Sequence, residues 1–201
     1  MDRRKGVLEL LEAVDRLTRS GRPLRVVISG IGPDVEAVRD CVAQLGLGAV
    51  VELTGVAGYD EAPAVYRTGD VFVSPTWSEG FSNTILEAMA AGLPIVSTRA
   101  VGVIDCLRHE DNALLVEPHD VEQLAAAIGR LLDDASLRSR LAERALAEVR
   151  TTYSWEAVSA QIVDVYRSLL GTPPDDDWPE LEALGAPIDQ RCRFRAAPHL
   201  L

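Results

Sequence analysis

Near the start of the chain, apolar side chains fall at Val7, Leu8, Leu10, Leu11, Val14 and Leu17, with polar residues between them. That spacing predicts a helix with one buried face. The pattern then changes. Leu24 to Ser29 is a near-continuous β-branched run, ended by Gly30-Ile31-Gly32-Pro33. It predicts a strand buried on both faces, as in a parallel sheet. Helical spacing returns over Asp34 to Leu45 and stops at Gly46 and Gly48. The alternation continues with strand 49–53, a short helix 60–68, strand 71–74, helix 83–91 closed by Gly92, strand 94–98, a helical turn 104–108 and strand 113–116. Strands alternating with helices predict right-handed βαβ units around a parallel sheet. From Asp120 the pattern is helical only, over 121–132, 136–151 and 155–170. After Gly171 the composition shifts to Thr172-Pro173-Pro174-Asp175-Asp176-Asp177-Trp178-Pro179, and no core periodicity returns by Leu201. Residues 1–170 therefore read as one α/β domain and 171–201 as a Pro/Asp-rich linker and tail. No internal repeat interrupts this order.

Composition narrows the function classes. With 201 residues, 47% of them apolar, the chain can build a real core. The formal charge of −11 and the lack of a basic patch argue against sequence-independent nucleic-acid binding, which needs phosphate neutralisation. The three cysteines, Cys41, Cys106 and Cys192, are odd in number and form no CxxC pair. They suggest neither a disulfide framework nor a zinc site, so a reducing cytoplasm is the expected setting. His109, His119 and His199 form no ligand cluster, and no metal site is expected. No apolar run reaches the ~18 residues of a membrane span. The basic start, Met1-Asp2-Arg3-Arg4-Lys5-Gly6, lacks an apolar segment behind it and does not read as a secretory leader.

The densest chemistry lies in Ser78-Glu79-Gly80-Phe81-Ser82-Asn83-Thr84-Ile85-Leu86-Glu87. It follows a predicted strand and opens a predicted helix, an arrangement in which free N–H groups and the helix dipole can hold a diphosphate. Gly80 permits close approach of the backbone, and Phe81 and Ser82 can offer N–H donors. The bland reading of the same residues is an ordinary loop with Thr84-x-x-Glu87 as a capping box. Glu87, read in the first turn, can accept two hydroxyl hydrogen bonds and suits the vicinal hydroxyls of a ribose; otherwise it merely stabilises the helix terminus. Glu79 can hold sugar hydroxyls or offset positive charge at a reacting anomeric centre; otherwise it is a solvated loop acid. Lys5, followed by Gly6 at the first helix, can offset charge on a leaving diphosphate, with Arg3 or Arg4 contributing; the alternative is a frayed, solvated terminus. Gly30 and Gly32 place a tight turn at the C-terminal edge of the sheet, where open α/β folds bind ligands.

In this order, Lys5-Gly6, Ile28-Ser29-Gly30-Ile31-Gly32-Pro33, Glu79 and Glu87 with Gly80-Phe81-Ser82-Asn83 between, Glu87-Ala88-Met89-Ala90-Ala91-Gly92-Leu93-Pro94, Leu114-Leu115-Val116-Glu117-Pro118-His119-Asp120 and Tyr153-Ser154-Trp155 resemble the C-terminal, nucleotide-binding domain of GT-B glycosyltransferases of the retaining family 4 group. The resemblance covers about residues 4–170. It implies a Rossmann-like doubly wound parallel sheet with C-terminal helices. It implies that Glu87 binds the nucleotide ribose, that Glu79 binds the donor sugar, and that Lys5 with the backbone of Gly80-Phe81-Ser82-Asn83 binds the diphosphate. Backbone near Val56 would face the base. The implied reaction is transfer of a hexose from a nucleotide diphosphate sugar to an acceptor hydroxyl with retention, with no cofactor and no required metal. Asp175-Asp176-Asp177 sits in the Pro-rich tail rather than after a strand and reads as a solvated linker, not a metal-binding triplet.

Three departures from the family pattern qualify what the resemblance implies. The N-terminal acceptor-binding domain is not in this sequence. The family's strand ending in Gly-Arg before Lys-Gly is missing, which would leave two sheet edges to be covered. Val101-Gly102-Val103-Ile104-Asp105 stands where the family has Gly-Gly and a glutamate. The expectation is a donor-binding half that needs a partner chain or a missing N-terminal domain, through which peripheral membrane association would also come. The alternatives are a non-catalytic nucleotide-sugar-binding module and, more weakly, a sugar-nucleotide epimerase of the same fold.

Overall fold

The computed structural model describes residues 1–56, 58 and 60–170. The predicted linker and tail, with Asp175-Asp176-Asp177, lie outside the described residues. Two units are distinguished, Met1–Ala157 and Val158–Leu201. The described part of the second, residues 158–170, is a continuation of the helix α7 (Trp155–Leu170).

In the first unit, a 3-10 turn over Arg3–Lys5 leads into α1 (Val7–Arg19). Then follow β1 (Val26–Ser29), α2 (Val35–Gln44), β2 (Val51–Thr54), α3 (Ala62–Tyr66), β3 (Phe72–Ser74), α4 (Asn83–Ala90), β4 (Ile95–Thr98), β5 (Leu114–Val116), α5 (Val121–Asp133) and α6 (Ala135–Thr152). The element order matches the sequence pattern, with ends moved by a residue or two. The predicted helical turn at 104–108 is instead a run of turns over 101–106.

All strand pairs are parallel, as the alternation predicts. They form two sheets. One has the order β1-β2, with Val26 opposite Val51; the other has the order β3-β4-β5, with Val96 opposite Val73 on one side and Leu114 on the other. β1 and β3 thus each have one edge with no strand partner among the described residues. Met1–Arg4 lies between the loops that follow these two strands. Asp34 N donates to Met1 O at 3.1 Å on the β1 side, and Trp77 N donates to Arg4 O at 2.8 Å on the β3 side.

Helices cover both faces of the three-stranded sheet. Val96, Leu114 and Val116 pack into a core with α1 and α5, including Leu11, Val14, Leu124 and Leu131. Ile95 and Leu115 point the other way, into a core with Ile85 and Met89 of α4 and Ala145 and Val149 of α6. Every residue of β4 and β5 is buried. Each fully buried aliphatic side chain here contributes about 1.5–3 kcal/mol. β1 corrects the sequence reading: only Ile28 is buried, and Val27 is 39% exposed. A β-branched run reports strand propensity, but burial depends on what covers each face.

Candidate functional site

The strands' C-terminal ends carry the loops that hold the sequence-predicted residues. The central one joins β3 to α4. It is pinned to the start of α1 by two hydrogen bonds to Arg4 O, from Trp77 N at 2.8 Å and Thr76 Oγ1 at 3.1 Å. Gly6 caps α1 in the left-handed region at φ 67°, and a Cβ there would sit 1.9 Å from Pro75 O. Glycine is therefore required at this crossing. The adjacent Lys5 is delivered to the loop: its Nζ lies 2.5 Å from Glu79 Oε1. The Glu79 side chain is only 14% exposed while Lys5 is 53% exposed. Neither residue fits its bland reading, since Glu79 is not a solvated acid and Lys5 is not a free end.

A second clasp acts from the loop after β4. Glu79 N donates to Val101 O at 3.0 Å. Gly102 has φ 80°, and a Cβ there would approach Glu79 O to 2.3 Å and Gly80 O to 2.6 Å. The sequence departure at 101–105 therefore still shapes the Glu79-Gly80 turn, through backbone rather than through a side chain. A third clasp was not legible in the sequence. Trp77 Nε1 donates to Glu9 Oε1 at 3.0 Å, His119 Nδ1 lies 3.1 Å from the same oxygen, and the two ring centroids are 4.3 Å apart in a tilted contact. Glu9 Oε2 is buried without a hydrogen-bond partner among the described residues.

Ser82 is the N-cap of α4, in extended conformation, and its side chain makes no capping bond; its Oγ lies 3.0 Å from Thr84 Oγ1 instead. With Asn83 as the first helical residue, no acidic residue lies in the first turn. This corrects two sequence readings: Thr84-x-x-Glu87 is not the capping box, and Glu87 belongs to the second turn. An N-terminus without a side-chain cap leaves N–H donors and about half a positive charge for an anion. Phe81, 45% exposed, sets its ring 5.8 Å from that of Tyr153.

Glu87 is held from another direction. The Tyr66 hydroxyl donates to Glu87 Oε2 at 2.7 Å. Burial, and then the neighbouring Glu87 carboxylate, push the Tyr66 phenol well above its ordinary range, so it stays a proton donor. Tyr66 was not singled out in the sequence; a tyrosine in a short helix looks like any core aromatic.

The remaining predicted residues lie at the ends of β1 and β2. Gly30 N donates to Thr54 O at 3.3 Å. Gly32 faces Met1, where a Cβ would meet the Met1 nitrogen at 2.0 Å, and the Met1 amine donates to Ile31 O. Val56 is 63% exposed beside an open groove of about 400 Å³ lined also by Thr54, Gly55 and Val65. No hydrogen bond or ring contact links Gly30 or Val56 to the Lys5–Glu79 pair among the described residues. A larger cavity, about 790 Å³, lies between α1 and α5 against Arg16, Arg22, Arg130 and Asp133, and includes none of the predicted residues. The strand-end loops, not this cavity, carry the convergent polar chemistry. Among the described residues no group of three or more His, Cys, Asp or Glu side chains is placed to hold a metal ion.

Comparisons with known proteins point in one direction. The family model described as glycosyl transferases group 1 matches residues 1–134. The chain is 33% identical over 165 residues to alpha-D-kanosaminyltransferase of Streptomyces kanamyceticus, covering 82% of this chain and 43% of that protein. It is 34% identical over 168 residues to MMP alpha-(1->4)-mannosyltransferase of Mycolicibacterium hassiacum, covering 83% and 40% respectively. The chain thus spans less than half the length of these curated relatives. Among solved structures, the C-terminal domain of glycosyl transferase group 1 family protein LpcC from Francisella tularensis aligns with a TM-score of 0.69 at 30% identity, covering 77% of this chain and 83% of that one.

Proposed function

Because this chain belongs to the glycosyl transferases group 1 family and takes the fold of a C-terminal GT-B domain, we propose that it is the donor-binding half of a retaining hexosyltransferase. The observation that carries the reading is the Lys5–Glu79 pair, 2.5 Å apart in the loop that opens onto the N-terminus of α4. The donor is a nucleotide diphosphate sugar. The N–H groups at the start of α4 and the backbone of Gly80-Phe81-Ser82-Asn83 cradle its diphosphate, and Glu87 takes the ribose hydroxyls. Gly30, Gly32 and Val56 face the nucleoside from the other sheet. The names of the relatives as kanosaminyl- and mannosyltransferases support a hexose on the donor.

In the transfer step, the bond between the anomeric carbon and the diphosphate oxygen breaks, a bond to the acceptor oxygen forms, and the acceptor's hydroxyl proton passes to the departing diphosphate. Negative charge builds on the leaving diphosphate. Lys5 and the helix N-terminus are the groups placed to stabilise it. Glu79 occupies Lys5 until then. A half-exposed ion pair of this kind is worth about 0–1 kcal/mol, so Lys5 exchanges partners at little cost when a diphosphate arrives. Glu79, released, holds sugar hydroxyls and offsets positive charge at the anomeric centre. The step requires neither a metal nor a cofactor. An acceptor half, on a partner chain or an N-terminal domain, brings the acceptor, excludes water and makes any membrane contact. Cytoplasmic placement rests on the cysteine usage; no helix among the described residues is long and apolar enough to cross a membrane.

Calorimetric titration with UDP, GDP and ADP tests the reading. One nucleotide binds saturably, and Glu87→Ala lowers its affinity tenfold or more, by roughly the worth of hydrogen bonds to a charged group. A folded protein that binds none of the three, or a Glu87→Ala variant that binds as well as the wild type, overturns it. Binding without transfer, even beside an acceptor domain, would favour the non-catalytic module instead.

A further inference from the structure

Glu87 is proposed above to grip a ribose, yet a glutamate on a helix surface is free to turn through several rotamers. Here it is not free. Tyr66, the last residue of α3, donates its hydroxyl to Oε2 at 2.7 Å and stands 3.5 Å from Thr84 O, one turn before Glu87. The Tyr66 ring is itself fixed. It meets Phe72 of β3 at 5.7 Å in a tilted contact and packs on the core that includes Ile85 and Met89 of α4. A strand, a short helix and α4 therefore converge to set one carboxylate. Oε1 takes no hydrogen bond from the described residues, and one lone pair of Oε2 stays open.

We infer that Tyr66 is a positioning residue for ribose recognition, fixing the Glu87 carboxylate so that its open lone pairs meet both hydroxyls of a ribonucleotide and deoxyribonucleotides are refused. The inference rests on the reading of Glu87 as the ribose-binding group. Its physical basis is preorganisation. Ordering a rotamer-rich side chain only at binding costs affinity, and a carboxylate ordered beforehand avoids that cost. The arrangement also makes the site selective by class. The Glu87 carboxylate, exposed but held by Tyr66, loses a charge-assisted bond when either hydroxyl is absent. The phenol, kept protonated by its surroundings, serves as a donor throughout the physiological pH range.

The test compares UDP, GDP and ADP with their 2′-deoxy and 3′-deoxy forms, titrated against wild type, Tyr66→Phe and Glu87→Ala. The wild type prefers the ribonucleotide that it binds over each deoxy form by about tenfold or more, the worth of one hydrogen bond to a charged group. Tyr66→Phe keeps the ring and its packing but loses the hydroxyl. It lowers ribonucleotide affinity severalfold and leaves the deoxy forms nearly unchanged, so the preference shrinks. A tyrosine that only supports the fold would weaken all forms equally, and that result, read beside a thermal melt of each variant, overturns the inference. A full preference retained in Tyr66→Phe but lost in Glu87→Ala also overturns it while leaving the Glu87 reading intact. A preference unchanged in Glu87→Ala overturns the Glu87 reading itself.

Discussion

The two sheets are built from similar material and end in different states. β1 reads VVIS and β4 reads IVST, yet β4 is buried at every residue and β1 only at Ile28. β5 follows β4, and β2 follows β1 with only Val51 buried. The difference lies in the covering layers. Helices pack on both faces of the three-stranded sheet, whereas Val27 and Ser29 of β1 face solvent. Burial is a property of topology, and strand propensity alone does not report it. The residues proposed to bind the donor divide along the same line. Glu79, the start of α4 and Glu87 hang from the firmly packed sheet, while Gly30, Gly32 and Val56 hang from the open one. The groups proposed to hold the diphosphate and the ribose sit beside the sheet with the fully buried strands, and Gly30, Gly32 and Val56 sit on the more exposed one.

Matched truncations give the sharpest contrast. Ile95→Ala, at a fully buried site in β4, costs about 2–5 kcal/mol by the usual range for large-to-small core changes. Val27→Ala on the exposed face of β1 costs under about 1 kcal/mol. Urea unfolding of both variants reads the gap directly, and equal losses would mean that the sheets share one level of packing.

The next contrast is between two glycines. Gly102→Ala combines a left-handed backbone with a Cβ 2.3 Å from Glu79 O, so the Glu79-Gly80 turn must move. The expected cost is about 1–3 kcal/mol of stability, with nucleotide affinity falling alongside. Gly30→Ala strains a backbone at φ 142° but meets nothing within 4 Å, so the smaller loss stays local. Nucleotide titration and a melt of each variant separate the two; a Gly102→Ala protein with wild-type affinity would show that the Glu79 turn tolerates displacement.

The smallest effect is electrostatic and belongs to the packed half. Arg130 holds the Glu110 carboxyl below its usual range, and Arg108, then Arg144, do the same for Asp111. The unfolded chain takes up these protons first, so their contribution is present above the ordinary carboxylate range near pH 4 and is lost as pH falls through the depressed values. Urea midpoints at pH 7 and pH 3 should fall less in Arg130→Gln than in the wild type. Because the pairs are exposed, the difference is modest, and an identical fall in both proteins would remove Arg130 from the account.

The sequence made the local layer legible. Helix periodicity placed α1, α5 and α6, and apolar runs bounded by glycine placed the strands. Lys5 and Glu79 were each identifiable by type and neighbours, but their pairing is a contact across 74 residues that exists only once α1 crosses Pro75. The position of Glu87 in α4 was misread by one turn because Thr84 and Glu87 satisfy the capping pattern on paper while Ser82 takes the N-cap position. Tyr66, Glu9 and Trp77 carried no local signal at all. Their roles arise from the meeting of three or more elements, which no window of residues contains. The split into two sheets was hidden for the same reason, since strand neighbours are set by long-range pairing.

The tilted contact of Trp77 with His119 has an optical consequence. The indole lies two residues from Glu79, hydrogen-bonded to Glu9 and 4.3 Å from the imidazole. Indole emission responds to the distance and charge of such a neighbour, so any shift of this loop changes its brightness or colour. With Trp155 and Trp178 replaced by phenylalanine, Trp77 is left as a built-in fluorescent gauge of movement in the loop that carries Glu79, read in real time without attaching a dye.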